Sequence, residues 1–410
     1  MKTALTKIAA GIASLTLVGI GVAAVVAPAA GADPASPGAG SGVTLAQVGD
    51  DLLLAGQSNG GDAALVWYQT VGSSTWSVSE PTQTGTVYSA VSMAQLVDNW
   101  TIFGLPRQTD LVGMAAEGWN NTLNFWWEPI GSIGSGYWNQ EVVGGPGTTY
   151  SAPAITTIGN DVVIAAEGPN QTLNFWWQQI GATGWSSLLG QLPGEVTTPP
   201  TIAALSNGTL GIAFSDASPW DCTAYVEQLP SKFGQPWQIS YPEAACTDAN
   251  TSSSPTITGP GLYGTDLITT QGGDNSLDSW ADDNPYYGPL FYPASYGAEA
   301  GTVFSGVSVA QFNNGVAAAA EGVDETFQFY WRNSNSNQWI HESPSYIGSD
   351  ISQPSLVNVY NYATGTTLVV VATEGPYGNA DVYWQLLGSS TWNTIPFPAT
   401  FSACVNGVCD

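Results

Sequence analysis

Hydrophobic and polar residues alternate in short runs along the chain, and the runs recur. Residues 115–127 read Ala-Ala-Glu-Gly-Trp-Asn-Asn-Thr-Leu-Asn-Phe-Trp-Trp, and residues 165–177 repeat this as Ala-Ala-Glu-Gly-Pro-Asn-Gln-Thr-Leu-Asn-Phe-Trp-Trp. Internal similarity at a fixed period is the mark of a repeat architecture. Weaker copies surround these two. Ala55-Gly56-Gln57-Ser58 precedes Val66-Trp67-Tyr68, Ala213-Phe214-Ser215-Asp216 precedes Tyr225, and Thr270-Gln271-Gly272 precedes Trp280. Residues 319–331 and 372–384 complete the series. A second marker, one aromatic a little after each of these tracts, has the same count: Trp76, Trp138, Trp185, Trp237, Phe291, Trp339 and Trp392. Within the third copy the pattern predicts strands over 152–158, 161–166, 172–179 and 185–190, separated by Gly-Asn, Gly-Pro-Asn and Gly-Ala-Thr-Gly turn signals. No stretch carries a sustained helical period.

Four short antiparallel strands in a repeat of about 50 residues, seven times over, predict an all-β fold, a seven-bladed β-propeller. A lone four-stranded sheet cannot bury both faces, whereas radial packing buries each against a neighbour. The competing linear β-solenoid has rungs nearer twenty residues and lacks this aromatic density. The propeller is expected over residues 43–398. Val43 aligns with Pro153 and the last copy runs through its fourth strand, so no blade need be shared and the ring closes by blade packing.

The ends are read differently. Lys2 and Lys7 flank the start of an apolar run over 8–27, and Ala30-Gly31-Ala32 supplies the small residues of a cleavage site, so 1–32 reads as a signal peptide. An uncleaved anchor is the competing reading, because about twenty apolar residues can span a bilayer. The Ala- and Gly-rich leader resembles those of secreted proteins of high-GC Gram-positive bacteria. Residues 33–42 form a flexible lead-in and 399–410 a C-terminal tail. No later segment is long and apolar enough to span a membrane. In an exported chain the four cysteines favour disulfides, with spacing favouring Cys222–Cys246 and Cys404–Cys409; their spacing is not that of zinc ligands.

Charge narrows the function classes. Five basic residues stand against 32 acidic ones, and cleavage leaves only Arg107, Lys232 and Arg332. Binding to nucleic acid requires Lys and Arg to neutralise phosphates, so it is excluded, and attraction to anionic lipid fails likewise. An extracellular location and solubility through mutual repulsion fit this balance.

Antiparallel geometry places the turn between strands two and three on the same face as the crossing to the next blade. Glu117, Glu167, Glu321 and Glu374 close strand two in four blades, with Gln57 and Gln271 replacing them in two and Ser215 in one. These residues are expected to form a ring of acceptors, either binding sugar hydroxyls or a cation or accepting backbone N–H groups of the crossing. The aromatic pairs Trp126–Trp127, Trp176–Trp177 and Tyr330–Trp331 are mid-strand and are expected in the blade interfaces. Turn aromatics are the better ligand candidates: Trp119, and Tyr286 with Tyr287. Two departures from the repeat stand out, an insertion around 98–110 and an acidic group of Asp274, Asp278, Asp282, Asp283 and Asn284. The latter matches no EF-hand loop and reads as a solvated acidic loop, so no cofactor is implied and calcium is at most a weak option.

Each repeat follows Ser-x-Pro-x-Ile, a β-rich run, an acidic or amide residue with Gly, an aromatic pair and a closing Trp. Ser151-Ala152-Pro153-Ala154-Ile155, continuing to Gly184-Trp185-Ser186-Ser187, carries it most fully. This pattern resembles the fucose-binding bacterial propeller lectins and the tectonin-like repeat proteins. The resemblance implies a seven-bladed ring with shallow glycan pockets between blades, commonly built from an Arg, a Glu or Gln and an aromatic. With only Arg107 and Arg332 here, a repeated Arg-based pocket is impossible.

Catalysis is tested on the same residues. A sialidase-like clamp needs several Arg, His341 is expected on an outer strand away from any pocket, and no Gly-x-Ser-x-Gly motif occurs. Glycoside hydrolysis needs only two carboxylates, which the Glu ring would supply. The reading favoured is an exported, non-catalytic, lectin-like module for a glycan or cell-surface protein; the alternative is a secreted glycoside hydrolase.

Overall fold

The structure, a computed structural model, describes residues 42–57, 63–73, 75–82, 86–102, 105–135, 138–217, 222–242, 253–259, 265–282, 291–293, 300–312, 315–333, 339–345, 352–361, 364–375 and 380–395. All belong to the compact unit Pro37–Asp410. They form seven four-stranded antiparallel sheets, each with its strands in chain order. Blade 3 is representative: Ala154–Ile158, Asp161–Gly168, Thr172–Gln179 and Ser186–Gln191. The third strand has the expected bounds. The first begins two residues late, because Pro153 has no N–H for the ladder.

The innermost strands are Thr44–Val48, Ser92–Ile102, Ala154–Ile158, Thr201–Ala204, Thr256–Thr258, Ser308–Phe312 and Ser355–Asn361. Each packs against the next, and Ser355–Asn361 against Thr44–Val48, so the ring closes without a shared blade. A closed ring of first strands excludes the linear solenoid. In six blades this strand opens on Ser or Thr, whose hydroxyl bonds to the backbone of the following blade. Ser92 accepts from the amide of Ile155, Thr201 from Ile257 and Ser308 from Leu356. Thr44 donates to the carbonyl of Val91, and Thr256 to that of Val307. Ser355 accepts from Leu45 at 2.8 Å, so the closing seam uses the same latch. Blade 3 opens on Ala154, which has no hydroxyl to offer.

Burial falls from the middle of each blade outward. Strand two of blade 3 is buried along nearly its whole length, while Ser186–Gln191 faces solvent. Apolar side chains between strands two and three of adjacent blades form one cluster per seam, divided in two at the seam of blades 5 and 6, where Ser279 and Ala281 replace the usual large residues. Trp126, Trp176 and Tyr330 are fully buried there, and Trp127, Trp177 and Trp331 are half-buried on the opposite faces, as expected for interface residues. The closing aromatic of each blade reaches back onto the preceding blade. Trp185 meets Phe125 edge-on with ring centroids 5.3 Å apart, Trp237 meets Phe175 at 5.2 Å, Phe291 meets Tyr225 at 4.9 Å and Trp392 meets Phe329 at 4.9 Å. Trp76 packs into the seam between blades 7 and 1, so ring closure repeats the same contact.

The insertion around 98–110 is an elongated hairpin: Ser92–Ile102 pairs with Leu105–Gly118, with Trp100 opposite Arg107 and the ladder running to Ile102 opposite Leu105. Cys222 is buried at the start of strand three of blade 4, and Cys246, Cys404 and Cys409 lie outside the described residues. Among the described residues no helix is long and apolar enough to cross a membrane.

Trp237→Ala removes the aromatic wedge between blades 3 and 4. It is expected to cost about 3–5 kcal/mol of unfolding free energy, the range for deleting a buried Trp or Phe. Urea unfolding checks this; a loss below about 1 kcal/mol would show that the wedge does not hold the seam.

Candidate functional site

One face of the ring is built from the hairpins between strands two and three together with the interblade crossings. In blades 2, 3 and 6 the hairpin turns on a pair of left-handed residues: Asn120 and Asn121 (φ 58° and 57°), Asn170 and Gln171 (φ 59° and 56°), Asp324 and Glu325 (φ 59° and 56°). The crossing out of the blade docks on this turn. Gly147 donates to the carbonyl of Asn120, and Thr148 and Thr149 to that of Asn121. Gly194 and Val196 repeat this on Asn170 and Gln171, and Gly301 and Val303 on Asp274 and Asn275. The expected shared face is therefore formed by direct hydrogen bonds.

The residue closing strand two is pinned through its backbone. The amides of Glu117, Glu167, Glu321 and Glu374 donate to the hydroxyls of Ser89, Ser151, Ser305 and Ser352, the leading serines of the repeat. The carbonyls of Glu117, Glu167 and Glu321 accept from Tyr88, Tyr150 and Phe304. The expected structural role, a carboxylate accepting crossing amides, is thus performed by the backbone instead. The following glycine is required by a close approach. A Cβ on Gly118 would lie 2.1 Å from Asn124 Nδ2, and one on Gly168 2.4 Å from Asn174 Nδ2. Those amides cross the glycine to reach the carbonyls of Thr86 and Thr148.

The two Gln members of the ring are ties. Gln57 donates to the carbonyl of Val87, and Gln271 to that of Val303 and to Asn275 Oδ1. Ser215 donates to the carbonyl of Ser253. Among the Glu members, Glu117 Oε1 accepts from Asn121 at 2.9 Å. Burial pushes the carboxyls of Glu117 and Glu167 up to about 7, the first also raised by the charge of Glu167, and burial raises Glu321 as well. The influence of Glu167 on Glu117 places neighbouring members of the ring within electrostatic reach.

Beside these carboxyls stand exposed aromatics. Trp119 is 62% exposed at the tip of its hairpin and meets Tyr88 edge-on at 5.8 Å; Tyr150 and Phe304 are 44% and 41% exposed. Trp119 was legible as a turn aromatic. Tyr88, Tyr150 and Phe304 were not singled out, although an aromatic immediately before the leading Ser in three blades was the available signal.

Other candidates are placed elsewhere. Tyr286, Tyr287, Asp283 and Asn284 lie outside the described residues. The acidic group does not form one solvated loop. Asp274 is exposed at the hairpin and Asp278 accepts from Ser276, whereas Asp282 ends strand three of blade 5, only 2% exposed. A strand advances about 3.3 Å per residue, so about 13 Å separates Asp278 from Asp282. Asp282 instead shares the seam of blades 4 and 5 with Glu227 and Asp266; burial and their mutual charge push the last two up to about 7 and about 6. No group of three or more His, Cys, Asp and Glu among the described residues is arranged to hold a metal ion. His341 lies on the outer strand Ile340–Glu342, exposed, stacked on Tyr330 at 4.7 Å and 2.6 Å from Gln328 Oε1. Arg332 sits 5.5 Å over the Trp339 ring.

No protein-family model and no curated protein matches the sequence. Among solved structures the chain is similar to the BP39L lectin from Burkholderia pseudomallei, with 16% identity and a TM-score of 0.65, covering 87% of this chain and 98% of that one. The fold is a seven-bladed β-propeller. A prolyl endopeptidase structure matches at 12% identity and TM-score 0.50, over 87% of this chain and 49% of the other. The fucose-specific lectin from Aleuria aurantia matches at 12% identity and TM-score 0.47, over 76% and 96%. At such identities the likeness concerns the fold, which hosts both binding and catalysis.

The raised carboxyls give stability a definite pH dependence. A carboxyl whose pKa rises from 4.5 to about 7 on folding holds its proton more tightly when folded. Its stabilising contribution is complete below 4.5 and is lost as pH rises through about 7. The melting temperature is expected to fall between about pH 5 and pH 8, and the double variant Glu117→Gln/Glu167→Gln to melt higher than the parent at about pH 8 with a shallower slope. An unchanged slope in that variant would contradict the assignment.

Proposed function

We propose that the crossing face binds neutral glycans, with Trp119, Tyr88 and Glu117 of blade 2 as its best-formed subsite. The observation that carries this is the exposed Trp119 packed edge-on against the half-buried Tyr88, beside a half-buried carboxyl, with partial copies at Tyr150–Glu167 and Phe304–Glu321. A ring offers its face to the C–H side of a sugar, and a carboxyl accepts from hydroxyls or, when protonated, donates one bond. With 32 acidic and five basic residues in the chain, sialylated or uronic glycans are repelled. Similar subsites on one rigid face gain avidity on a multivalent glycan surface, which suits a cell-surface partner. The lectin nature of the Burkholderia protein with the same fold supports the reading. On this proposal the protein acts outside the cell, exported through residues 1–32 and braced by Cys222–Cys246 and Cys404–Cys409.

The hydrolase alternative is less well supported. A glycosidase keeps one carboxylic acid protonated and a second ionised, about 5–9.5 Å apart. Glu117 and Glu167 are raised together to about 7, mainly by the same burial, so nothing divides acid from base. Glu195 and Asp216 do interact through a shared hydrogen bond that raises Glu195 to about 7, but groups in hydrogen-bond contact leave no room for a scissile bond.

A glycan array tests the reading. Neutral glycans are expected to give signal that sialylated ones lack, and Trp119→Ala to weaken the strongest binder by about tenfold, the scale of one lost aromatic contact. Signal unchanged in both Trp119→Ala and Glu167→Gln would overturn it; release of reducing sugar that vanishes with one Glu substitution would replace it with the hydrolase.

A further inference from the structure

The opposite end of the ring carries a cavity that the crossing face does not explain. It lies in the seam between blades 7 and 1, has a volume of about 390 Å³, and is walled mainly by Leu52, Val359, Leu368, Val370, Trp384 and Ile395. Its origin is a missing plug. At the seam of blades 1 and 2, the turn after strand three of blade 2 forms a short 3-10 helix, Ile130–Ser132, and Ile130 and Ile133 fill the space beside Tyr68. At the seam of blades 3 and 4, the corresponding turn, Pro230–Lys232, inserts Phe233 against Phe175 and Trp177 at 5.1 and 5.8 Å. Blade 1 has Val71, Gly72 and Ser73 at this place, and the left-handed Gly72 (φ 91°) brings no side chain.

A second observation points to what enters. Gln69 lines the cavity and is only 5% exposed, and its Oε1 meets no donor. A buried amide oxygen left in this condition is unfavourable and is relieved by a donor arriving from the cavity. The matching positions in blades 3 and 7, Gln178 and Gln385, are equally buried, with their amide nitrogens tied to the carbonyl of Ala182 and to Glu342 Oε2; the oxygen of Gln385 also meets no donor, so it is the cavity beside Gln69 that gives its oxygen room for a ligand. Trp384 and the aliphatic walls favour an aromatic body, and the volume falls in the range of small-molecule pockets.

We propose that the seam between blades 7 and 1 is a binding site for a small aromatic molecule carrying one hydrogen-bond donor, which Gln69 Oε1 accepts. The site is independent of the glycan reading: it shares no residue with the crossing face, and either can fail alone.

The full chain is titrated with 2-naphthol and, separately, with 2-methylnaphthalene, an isostere without the donor, using saturation-transfer NMR. Naphthol is expected to bind more tightly than methylnaphthalene. Gln69→Leu is expected to weaken naphthol about tenfold, one hydrogen bond's worth, while leaving methylnaphthalene unchanged or tighter. Thr366→Trp, at the rim, blocks both probes, and its melting curve confirms that the ring stays folded. Absence of naphthol binding, binding that survives Thr366→Trp in the folded variant, equal affinity for the two probes, or displacement of naphthol by free hexoses would overturn the proposal.

Discussion

The edge-on contact between a blade's closing aromatic and the third strand of the preceding blade is the constraint on which the molecule depends. Each sheet is apolar on both faces of its middle strands, so no blade is stable alone, and every seam buries an apolar cluster, to which four of the seven add this edge-on contact. Trp185 on Phe125, Trp237 on Phe175, Phe291 on Tyr225 and Trp392 on Phe329 repeat one geometry. Hydroxyls at the start of the innermost strands add a polar latch inside this apolar ring, including the closing one from Leu45 to Ser355. Closure is therefore not a special event at the chain ends; it uses the apolar packing and the hydroxyl latch of the other seams.

Uniform seams divide the surface into two unlike ends. Where the crossings run, the backbone of the strand-two residue is held on both sides by the segment leading into its blade, which leaves the half-buried Glu carboxyls beside the exposed Trp119, Tyr150 and Phe304. At the other end, the turns between strands three and four decide how well each seam is filled. Ile130 and Phe233 fill two of them; the Gly72 turn leaves one open. Function at both ends follows from what the packing does not consume.

Much of this was legible in the amino-acid sequence because the repeat is written in large residues. The Phe-Trp-Trp tracts and the later single Trp had to fall on interface positions, and the bounds of Thr172–Gln179 follow from a β-rich run between two turn signals. Harder to read was anything set by a neighbouring blade. The Asp run of blade 5 looked continuous, but strand geometry sends Asp282 to the opposite end, into a seam with Asp266 and Glu227. The Glu ring is legible, but not that Ser89, Ser151, Ser305 and Ser352 hold its backbone, since that bond joins segments 16 to 28 residues apart. Tyr88, Tyr150 and Phe304 were overlooked because an aromatic in a β-rich run gives no local sign of whether another sheet covers it.

Hydrogen–deuterium exchange in the presence of the strongest neutral glycan from an array tests the central claim most directly. The account predicts slowed exchange confined to the hairpin around Trp119–Asn121 and its counterparts in blades 3 and 6, with the outer strands unchanged. Protection of the outer strands alone, or no neutral glycan that alters exchange anywhere, would contradict it.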